Sequence, residues 1–404
     1  MLNIPSSVST YSPSARRSRV EITAPCRRDH DSAAVSDNNL LRFEEAGGHT
    51  SFMRWPAFPD QSFELLRILD TVHEGAAAPE ACFGTADRID PANMNSWYSE
   101  WHSTAELAKA TADHAHSIGR QATARANWLR ASSYFLTSQA FLHYDDPRRQ
   151  ATIERMRGCA LAYLQQLETP GEPIALDDDE TGAMSAYLVR APEPLLGSPL
   201  VLCVGGWDDF KEEHLIRLRR AAHDRGISLL LIELPGRTRG SKVRSERRFA
   251  ALVVDRWLTY LEEREDIPSG DIAIYGVGLG AAFATEAATL DLRFKAVVCD
   301  GGQSDLMVRA GSLNDVLDSG SDDAIGVNAH RLNDYSLLKQ LTCPVLMTRG
   351  DDAWPGAMRI STANASFDAA LAERKLSDSS PVSPPVLHER IFDWLSDQLA
   401  APRP

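Results

Sequence analysis

The sequence lacks the features that mark membrane-spanning, metal-binding and nucleic-acid-binding proteins. No apolar run approaches the roughly 18 residues that span a bilayer, and the N-terminus has no apolar signal core. The six cysteines form no C-x-x-C pair and have no histidine at metal-ligand spacing, which favours reduced thiols in a core. Aspartate and glutamate, 56 in all, outnumber 42 lysines and arginines, and the net charge of −14 argues against nucleic acid. We therefore expect a cytoplasmic protein with no metal, no cofactor and no membrane contact, whose partner is a small-molecule substrate.

What is present is the composition of a globular enzyme. The 404 residues are 43% hydrophobic and 24% charged, which suits a chain with more than one domain and a full core. Residues 1–55 are rich in Ser, Pro and Arg, and we expect a flexible arm there. Residues 56–170 show apolar positions at helical spacing and predict an all-helical domain, whereas residues 171–404 alternate between strand and helix patterns.

The alternating part predicts an α/β fold with a mostly parallel, doubly wound sheet. Ligands gather at the carboxyl ends of the strands in such a sheet. An acidic turn at 177–182 predicts a hairpin between 173–176 and 185–190. The predicted strands are 199–204, 228–232, 271–275, 295–299 and 344–348, and the predicted helices are 211–224, 249–264, 281–288, 358–372 and 388–399.

A glycine-rich turn, Gly276-Val277-Gly278-Leu279-Gly280, follows the strand at 271–275. A dinucleotide-binding loop is one interpretation, because Gly276, Gly278 and Ala281 fit its permissive form. The turn comes late in the sheet, however, and no acidic strand end follows in the right place. Its position instead matches the nucleophile elbow G-x-S-x-G, a sharp strand-to-helix turn. The nucleophile position of that elbow is Gly278.

Further motifs occur in both predicted domains. In the α/β part they are Gly205-Gly206-Trp207-Asp208-Asp209-Phe210-Lys211-Glu212-Glu213, Arg225-Gly226-Ile227, Leu234-Pro235-Gly236 and Leu261-Glu262-Glu263-Arg264. In the helical part they are Ser96-Trp97-Tyr98-Ser99-Glu100-Trp101 and Ala124-Arg125-Ala126-Asn127-Trp128-Leu129-Arg130-Ala131-Ser132. With the elbow, they resemble the α/β-hydrolase superfamily. Within it they are similar to the group of 2,6-dihydroxypseudooxynicotine hydrolase, the fermentation–respiration switch protein and the fungal polyketide-shortening hydrolases. The resemblance covers about residues 58–400.

The resemblance implies a helical N-terminal lid over an α/β-hydrolase core, with the substrate pocket between them and association into a homodimer. Activities in this group include hydrolysis of carbon–carbon bonds in ketone-like substrates. The catalytic residues depart from the group's pattern. The serine falls on Gly278, the acid maps to Gly350-Asp351-Asp352 with Asp352 as the matching carboxylate, and the histidine falls near Asp378. His388 is the candidate base that remains, with a surface position at a helix start as the alternative.

Without a nucleophile, the chemistry left is oxyanion stabilisation and proton transfer. The backbone N–H groups of Leu279 and of the Gly206-Trp207 turn are the expected oxyanion donors. Carboxylates that follow predicted strands are candidate acids or bases, with loop capping or ion pairing as the alternative. These carboxylates are Asp208, Glu233, Asp300 and Asp352.

Four residues are candidates for substrate binding. Gly278 leaves space beside the elbow. Trp97 and Trp354 are candidates to line an aromatic-friendly pocket, and a place in the buried core is the alternative for both. Arg125 is a candidate to recognise a carboxylate or phenolate, with salt bridging between helices as the alternative.

Three functions follow from these residues. The first is a non-hydrolytic enzyme on a hydrolase scaffold, catalysing an elimination or dehydration, an aldol-type step or a cyclisation of a polyketide-like or other ketone-bearing secondary metabolite. The second is a catalytically inactive pseudo-hydrolase that binds a ligand or a protein. The third is hydrolysis of a C–C or ester bond by water or a carboxylate nucleophile.

Overall fold

The computed structural model describes residues 43–46, 49–143, 145–192, 198–206, 209–235, 247–267, 271–278, 280–300, 341–351, 354–363 and 384–400. All of them belong to one compact unit, Leu41–Pro404. None of the helices in these ranges is both long enough and apolar enough to cross a membrane.

Helices make up the first part of the unit: α1 (Pro59–Leu69), α2 (Pro79–Ala86), α3 (Met94–Ser117), α4 (Gln121–Ser138) and α5 (Pro147–Gln165). Proline opens α1, α2 and α5, where its fixed φ suits the first helical turn. Asn93 caps α3 and Asp146 caps α5 by accepting a backbone N–H two residues on. Small buried residues such as Ala105, Ala112 and Ala131 let α3 and α4 pack closely. The predicted helical region is confirmed.

The second part is an eight-stranded sheet of order β10-β9-β8-β7-β5-β6-β4-β3. Strands β6, β5, β7, β8 and β9 run parallel, and the outer strands β3, β4 and β10 are antiparallel to their neighbours. The strands are β3 (Glu172–Asp178), β4 (Gly182–Val189), β5 (Leu200–Val204), β6 (Ser228–Glu233), β7 (Ile272–Val277), β8 (Phe294–Asp300), β9 (Val345–Asp351) and β10 (Trp354–Ala363). The helices around them are α6 (Lys211–His223), α7 (Arg247–Glu262), α8 (Gly280–Leu290) and α9 (Pro384–Ala400). The predicted α/β sheet and the hairpin β3–β4 are therefore confirmed.

The two faces of the sheet bury separate cores. Tyr275 and Val298 face α6, α9 and the helical region, while Ile274 and Val297 face α7 and α8. Because strand side chains alternate between faces, Asp300 lies on the same face as Val298. The five cysteines in the described ranges are buried free thiols, as the sequence predicted.

Two elements differ from the predictions. A two-stranded sheet, β1 (Phe43–Ala46) and β2 (His49–Phe52), lies within the predicted flexible arm. The dipeptide Gly47-Gly48 between these strands is a hairpin signal that outweighs the low periodicity of the flanks. The helix predicted at 358–372 is wrong over its first residues, because β10 extends to Ala363. The free edge of β9 pairs with this segment, so tertiary context overrides the helical spacing of its apolar residues.

Candidate active site

The turn after β7 has the geometry of a strand-to-helix elbow. A Cβ on Gly276 would overlap the carbonyl oxygen of Gly280, and a Cβ on Gly280 would overlap that of Val204. Both positions therefore need glycine, since the first turn of α8 packs directly on the ends of β5 and β7. Gly278, between them, has φ 56°, the left-handed region that side chains disfavour. The predicted elbow is present in the backbone.

The residue at the left-handed position of this turn is Gly278, which has no side chain. The Gly278 N–H donates to the backbone oxygen of Asp300 at 2.7 Å. This bond joins the elbow to the end of β8, so the carboxylate of Asp300 is held beside the turn.

Asp300 is a buried carboxylate held by two hydroxyl groups. It is the last residue of β8 and is 5% exposed. The Thr348 hydroxyl donates to Oδ1 at 2.6 Å, and the buried Tyr275 hydroxyl donates to Oδ2. Burial, and then the charge of Asp300, raise the pKa of Tyr275 well above its usual range, so the phenol stays protonated. Adjacent strands β7, β8 and β9 thus converge on one carboxylate.

His388 lies against this carboxylate. It projects from the first turns of α9, is buried, and places Nε2 4.0 Å from Oδ2 of Asp300. Burial lowers the pKa of His388 to about 4, and Arg217, Arg220 and His214 lower it too, against the opposing effect of Asp300. The imidazole is therefore neutral at pH 7, which is the form a general base requires. The structure brings together Asp300 and His388, two of the three predicted catalytic residues, whereas Asp352 lies outside the described residues.

The predicted oxyanion donor at Gly206 is already in use. Its N–H donates to Oδ2 of Asp209 at 2.7 Å, so in this structure it is not free to bind a substrate oxygen. That expectation is corrected because the sequence did not show that Asp209 folds back onto its own turn. Leu279, Trp207 and Asp208 lie outside the described residues.

His214 is a buried residue near the elbow that the sequence analysis missed. It projects from α6, is 3% exposed, and its Nε2 has no hydrogen-bond partner. A Cβ on Gly205 would overlap both this nitrogen and the side chain of Asp209. The available signal was its place one residue after Glu213, on the helix that follows the first glycine-rich turn. His214 thus adds a titratable group beneath that turn.

Glu233, another predicted acid or base, is part of a buried ion cluster instead. Lys211 Nζ lies 2.7 Å from its Oε2, and Arg157 Nη2 lies 2.7 Å from both carboxylate oxygens. Beside it, the Tyr187 hydroxyl donates to the buried Glu212 at 2.6 Å. Arg157 belongs to α5, so the cluster ties the helical region to the sheet. Ion pairing, the alternative interpretation of Glu233, is what the structure shows.

Two predicted substrate-binding residues lie away from the elbow. Trp97 is buried in the helical core, where its indole N–H donates to the carbonyl of Thr137 at 2.9 Å and its ring packs against Trp101. Arg125 lines a cavity together with Val189. Val189 pairs with Leu229 near the start of β6, so this cavity lies at the amino ends of the parallel strands, whereas the elbow lies at their carboxyl ends. Trp97 therefore takes the alternative place in the buried core, and Arg125 lies at a cavity away from the elbow. Trp354 starts β10 opposite Asp351, at the same edge as the elbow.

Among the described residues, no group of three His, Cys, Asp or Glu side chains is arranged to hold a metal ion. The groups brought together at the elbow are instead a carboxylate, two hydroxyls and a neutral imidazole. Such a set moves protons and binds polar substrate atoms.

Comparisons with known proteins agree with this architecture. No protein-family model matches the chain. The hydrolase acrC of Aspergillus aculeatus is 30% identical over 266 residues, which cover 59% of this chain and 60% of that protein. The 20-hydroxy-prefusarin hydrolase of Gibberella moniliformis is 31% identical over 257 residues, with 59% and 60% covered. The chain thus matches about 60% of the length of these curated relatives.

A solved structure extends the likeness to most of the chain. The structure of 2,6-dihydroxy-pseudo-oxynicotine hydrolase superposes with a TM-score of 0.63 and 21% identity, covering 82% of this chain and 96% of that one. The resemblance drawn from the motifs is confirmed at the level of fold and sequence relationship. The chain is an α/β-hydrolase-fold protein, related in sequence to fungal proteins that are named hydrolases.

Proposed function

We propose that this protein is an enzyme that acts on a ketone-bearing small molecule, of the polyketide-like secondary-metabolite class, without a serine nucleophile. One observation carries the proposal: the elbow backbone is retained around Gly278, and the buried pair Asp300–His388 lies beside it. An acyl-enzyme needs a nucleophilic side chain at the elbow, such as a hydroxyl or a thiol, whereas proton transfer needs only a placed base. The name of the 20-hydroxy-prefusarin hydrolase supports a small-molecule substrate of this kind.

His388 is the general base in this proposal. Its neutral imidazole takes the proton from a carbon next to the substrate carbonyl, and the C–H electron pair forms the C=C bond of an enolate. Asp300, held by Tyr275 and Thr348, stabilises the imidazolium that results. The backbone N–H of Leu279, the donor expected from the elbow motif, donates a hydrogen bond to the enolate oxygen.

The enolate then has two productive outcomes. In an elimination or dehydration it expels a group from the neighbouring carbon, and His388 returns its proton to that leaving group. In an aldol-type step or a cyclisation it attacks a second carbonyl, and the proton goes to the new alkoxide. Both outcomes balance without a cofactor or an oxidant.

Hydrolysis by water is a second candidate, favoured because the relatives are named hydrolases. In this candidate, His388 removes a proton from a water molecule that takes the place of the missing serine hydroxyl. The acid–base pair is the same, so the two candidates differ in product and not in the residues they need.

Isotope exchange separates these functions. Purified protein in D2O is incubated with a panel of 1,3-diketones and β-keto esters, and deuterium uptake at the carbon between the carbonyls is followed by NMR. We expect exchange above the buffer rate and its loss in His388→Gln, whereas the exposed control His114→Gln exchanges normally. Fluorophosphonate probes should not label the protein.

Each other result has a defined meaning. Cleavage of a keto ester or ketone with no separate exchange supports hydrolysis by water. Saturable binding with neither exchange nor cleavage supports the pseudo-hydrolase. Labelling of an elbow residue by the fluorophosphonate would show that a nucleophile had been overlooked.

Two further expectations stay predictions of the sequence and the resemblance. Association into a homodimer would give about twice the 44.4 kDa chain mass in light scattering after size-exclusion chromatography. A cytoplasmic location would be seen as recovery of a tagged chain in the cytoplasmic fraction of lysed cells.

A further inference from the structure

A cavity of about 170 Å³ lies at the end of the sheet where the parallel strands begin, opposite the elbow. It is bounded by α4, by the connection between α5 and β3, by the end of β4 and by the last turns of α6. The lining residues are Arg125, Leu167, Glu168, Thr169, Val189, Arg190, Pro192, Arg219 and His223. Three arginines against one glutamate make this cavity positively charged in a chain whose net charge is −14.

The three guanidinium groups differ in what they contact. Arg190 is paired with Glu172 at 3.1 Å and Asp266 at 2.7 Å. Arg125 donates to the backbone oxygen of Gln166 at 3.2 Å. Arg219 is hydrogen-bonded to the Tyr163 side chain, and its guanidinium lies 5.7 Å from the Tyr163 ring centroid. Within the described part of the chain, neither Arg125 nor Arg219 forms a salt bridge, although Glu74 interacts electrostatically with Arg219. Two guanidinium groups outside any salt bridge outnumber Glu168, the one acidic lining residue, and this excess positive charge forms an electrostatic site for an anion.

We propose that this cavity binds a small organic anion, with its carboxylate or phosphate group on Arg125 and Arg219. Guanidinium groups match the geometry of both oxyanions and lose little hydration when they bind. Leu167, Val189 and Pro192 line the same cavity and receive the short apolar part of the ligand. Because Arg125 belongs to α4 and Arg219 to α6, the anion links the helical region to the sheet.

The site is independent of the proposed chemistry. Val189 pairs with the second residue of β6, so the cavity lies where the parallel strands begin. The elbow follows the carboxyl end of β7, so it lies where the parallel strands end. A ligand here therefore does not compete with a substrate at the elbow.

Isothermal titration calorimetry of the full chain tests the proposal with sodium phosphate and sodium succinate as probes, in a buffer whose ionic strength is matched with sodium chloride. We expect saturable binding of at least one probe. Arg219→Gln and Arg125→Gln should each weaken it at least tenfold, as the loss of a charge-assisted contact implies. The matched control is Arg155→Gln on α5, an exposed arginine paired with Glu106, which should bind as the parent does.

The two probes identify the oxyanion. Binding of phosphate alone points to a phosphate ester, and binding of succinate alone or of both probes points to a carboxylic acid. The proposal is overturned if neither probe saturates, or if both glutamine variants fold with the parent's Tm and bind with its affinity. The two arginines lie on different helices, so a folding defect in one variant leaves the other as the test.

Discussion

Asp300 and Glu233 are two buried carboxylates in equivalent positions that have different surroundings. Each is the last residue of a parallel strand, each lies on the face that packs against α6, and they are 5% and 7% exposed. Glu233 is neutralised by Lys211 and Arg157. Asp300 is held by the neutral hydroxyls of Tyr275 and Thr348 and by an imidazole that is neutral at pH 7.

The difference separates a structural carboxylate from one suited to chemistry. A carboxylate bonded to two fixed cations cannot gain a proton cheaply, because protonation leaves those cations without their counter-charge. A carboxylate surrounded by neutral donors can stabilise a positive charge that forms beside it, such as an imidazolium. The position of an acid at a strand end therefore does not distinguish these two carboxylates, whereas their partners do.

The largest effect we expect is on turnover. Asp300→Asn should lower the deuterium-exchange rate by about 10² to 10⁴-fold, because an amide cannot stabilise a protonated His388. Glu233→Gln, assayed below its melting temperature, should keep a rate close to the parent's. Equal losses in the two variants, measured by NMR exchange, would remove the distinction between the carboxylates.

The second-largest effect we expect is on stability, and here the substitution of Glu233 is the one that matters. Glu233→Gln should lower the free energy of unfolding by about 3 kcal/mol, since it leaves the buried Lys211 with only the more distant carboxylate of Glu212, at 3.7 Å. This is the low end for a broken buried pair, because Arg157 is about a third exposed. Urea denaturation measures the loss, and the exposed Glu180→Gln is the control, which should lie within about 0.5 kcal/mol of the parent.

A third test uses the pH dependence of stability. Because the pKa of His388 is lowered to about 4 in the folded state, the unfolded state binds more protons between pH 6.5 and 4. Stability should fall as the pH drops through this window, by about 3 kcal/mol for this residue.

His388→Gln should remove that part of the pH dependence. Urea unfolding of the variant and the parent is measured at pH 7, 6, 5 and 4. The pKa of Asp70 is raised to about 6, so this residue makes stability rise as the pH falls. Its contribution is the same in both proteins and cancels in the comparison. Identical pH profiles would mean that His388 is not buried as a neutral group. The exposed His114→Gln should leave the parent's profile unchanged.

The smallest effect compares two buried tyrosines. Tyr275 donates to Asp300 and Tyr187 donates to Glu212, so Tyr275→Phe and Tyr187→Phe should each lose about 1.5 kcal/mol of stability. Only Tyr275→Phe should also slow the exchange reaction. A similar slowing in Tyr187→Phe would show that the ion cluster reaches the reacting groups.

Much of the fold could be predicted from the sequence because its signals are local. Short apolar runs alternating with amphipathic helices indicated the parallel sheet, and the two glycines that flank Gly278 marked the elbow. The strand at Trp354–Ala363 could not be found this way, because it exists only where the edge of β9 offers backbone groups to pair with.

The site was predicted less completely, because its geometry depends on contacts distant in sequence. His388 lies 88 residues after Asp300, and only the packing of α9 on the sheet brings the two side chains together. The same folding buries Trp97 in the helical core and places Arg125 at the opposite edge of the sheet. In each case the residue type was informative, but its surroundings decided its role.

By itself the sequence determined the α/β architecture, the elbow and the absence of a serine from it, since these follow from the periodicity and identity of neighbouring residues. The tertiary structure alone decided which carboxylate is paired with cations, which is held by neutral hydroxyls beside a neutral imidazole, and which arginines line a cavity outside any salt bridge. The physical reason is that burial and charge pairing depend on the distance between side chains in space, which a linear order of residues does not specify.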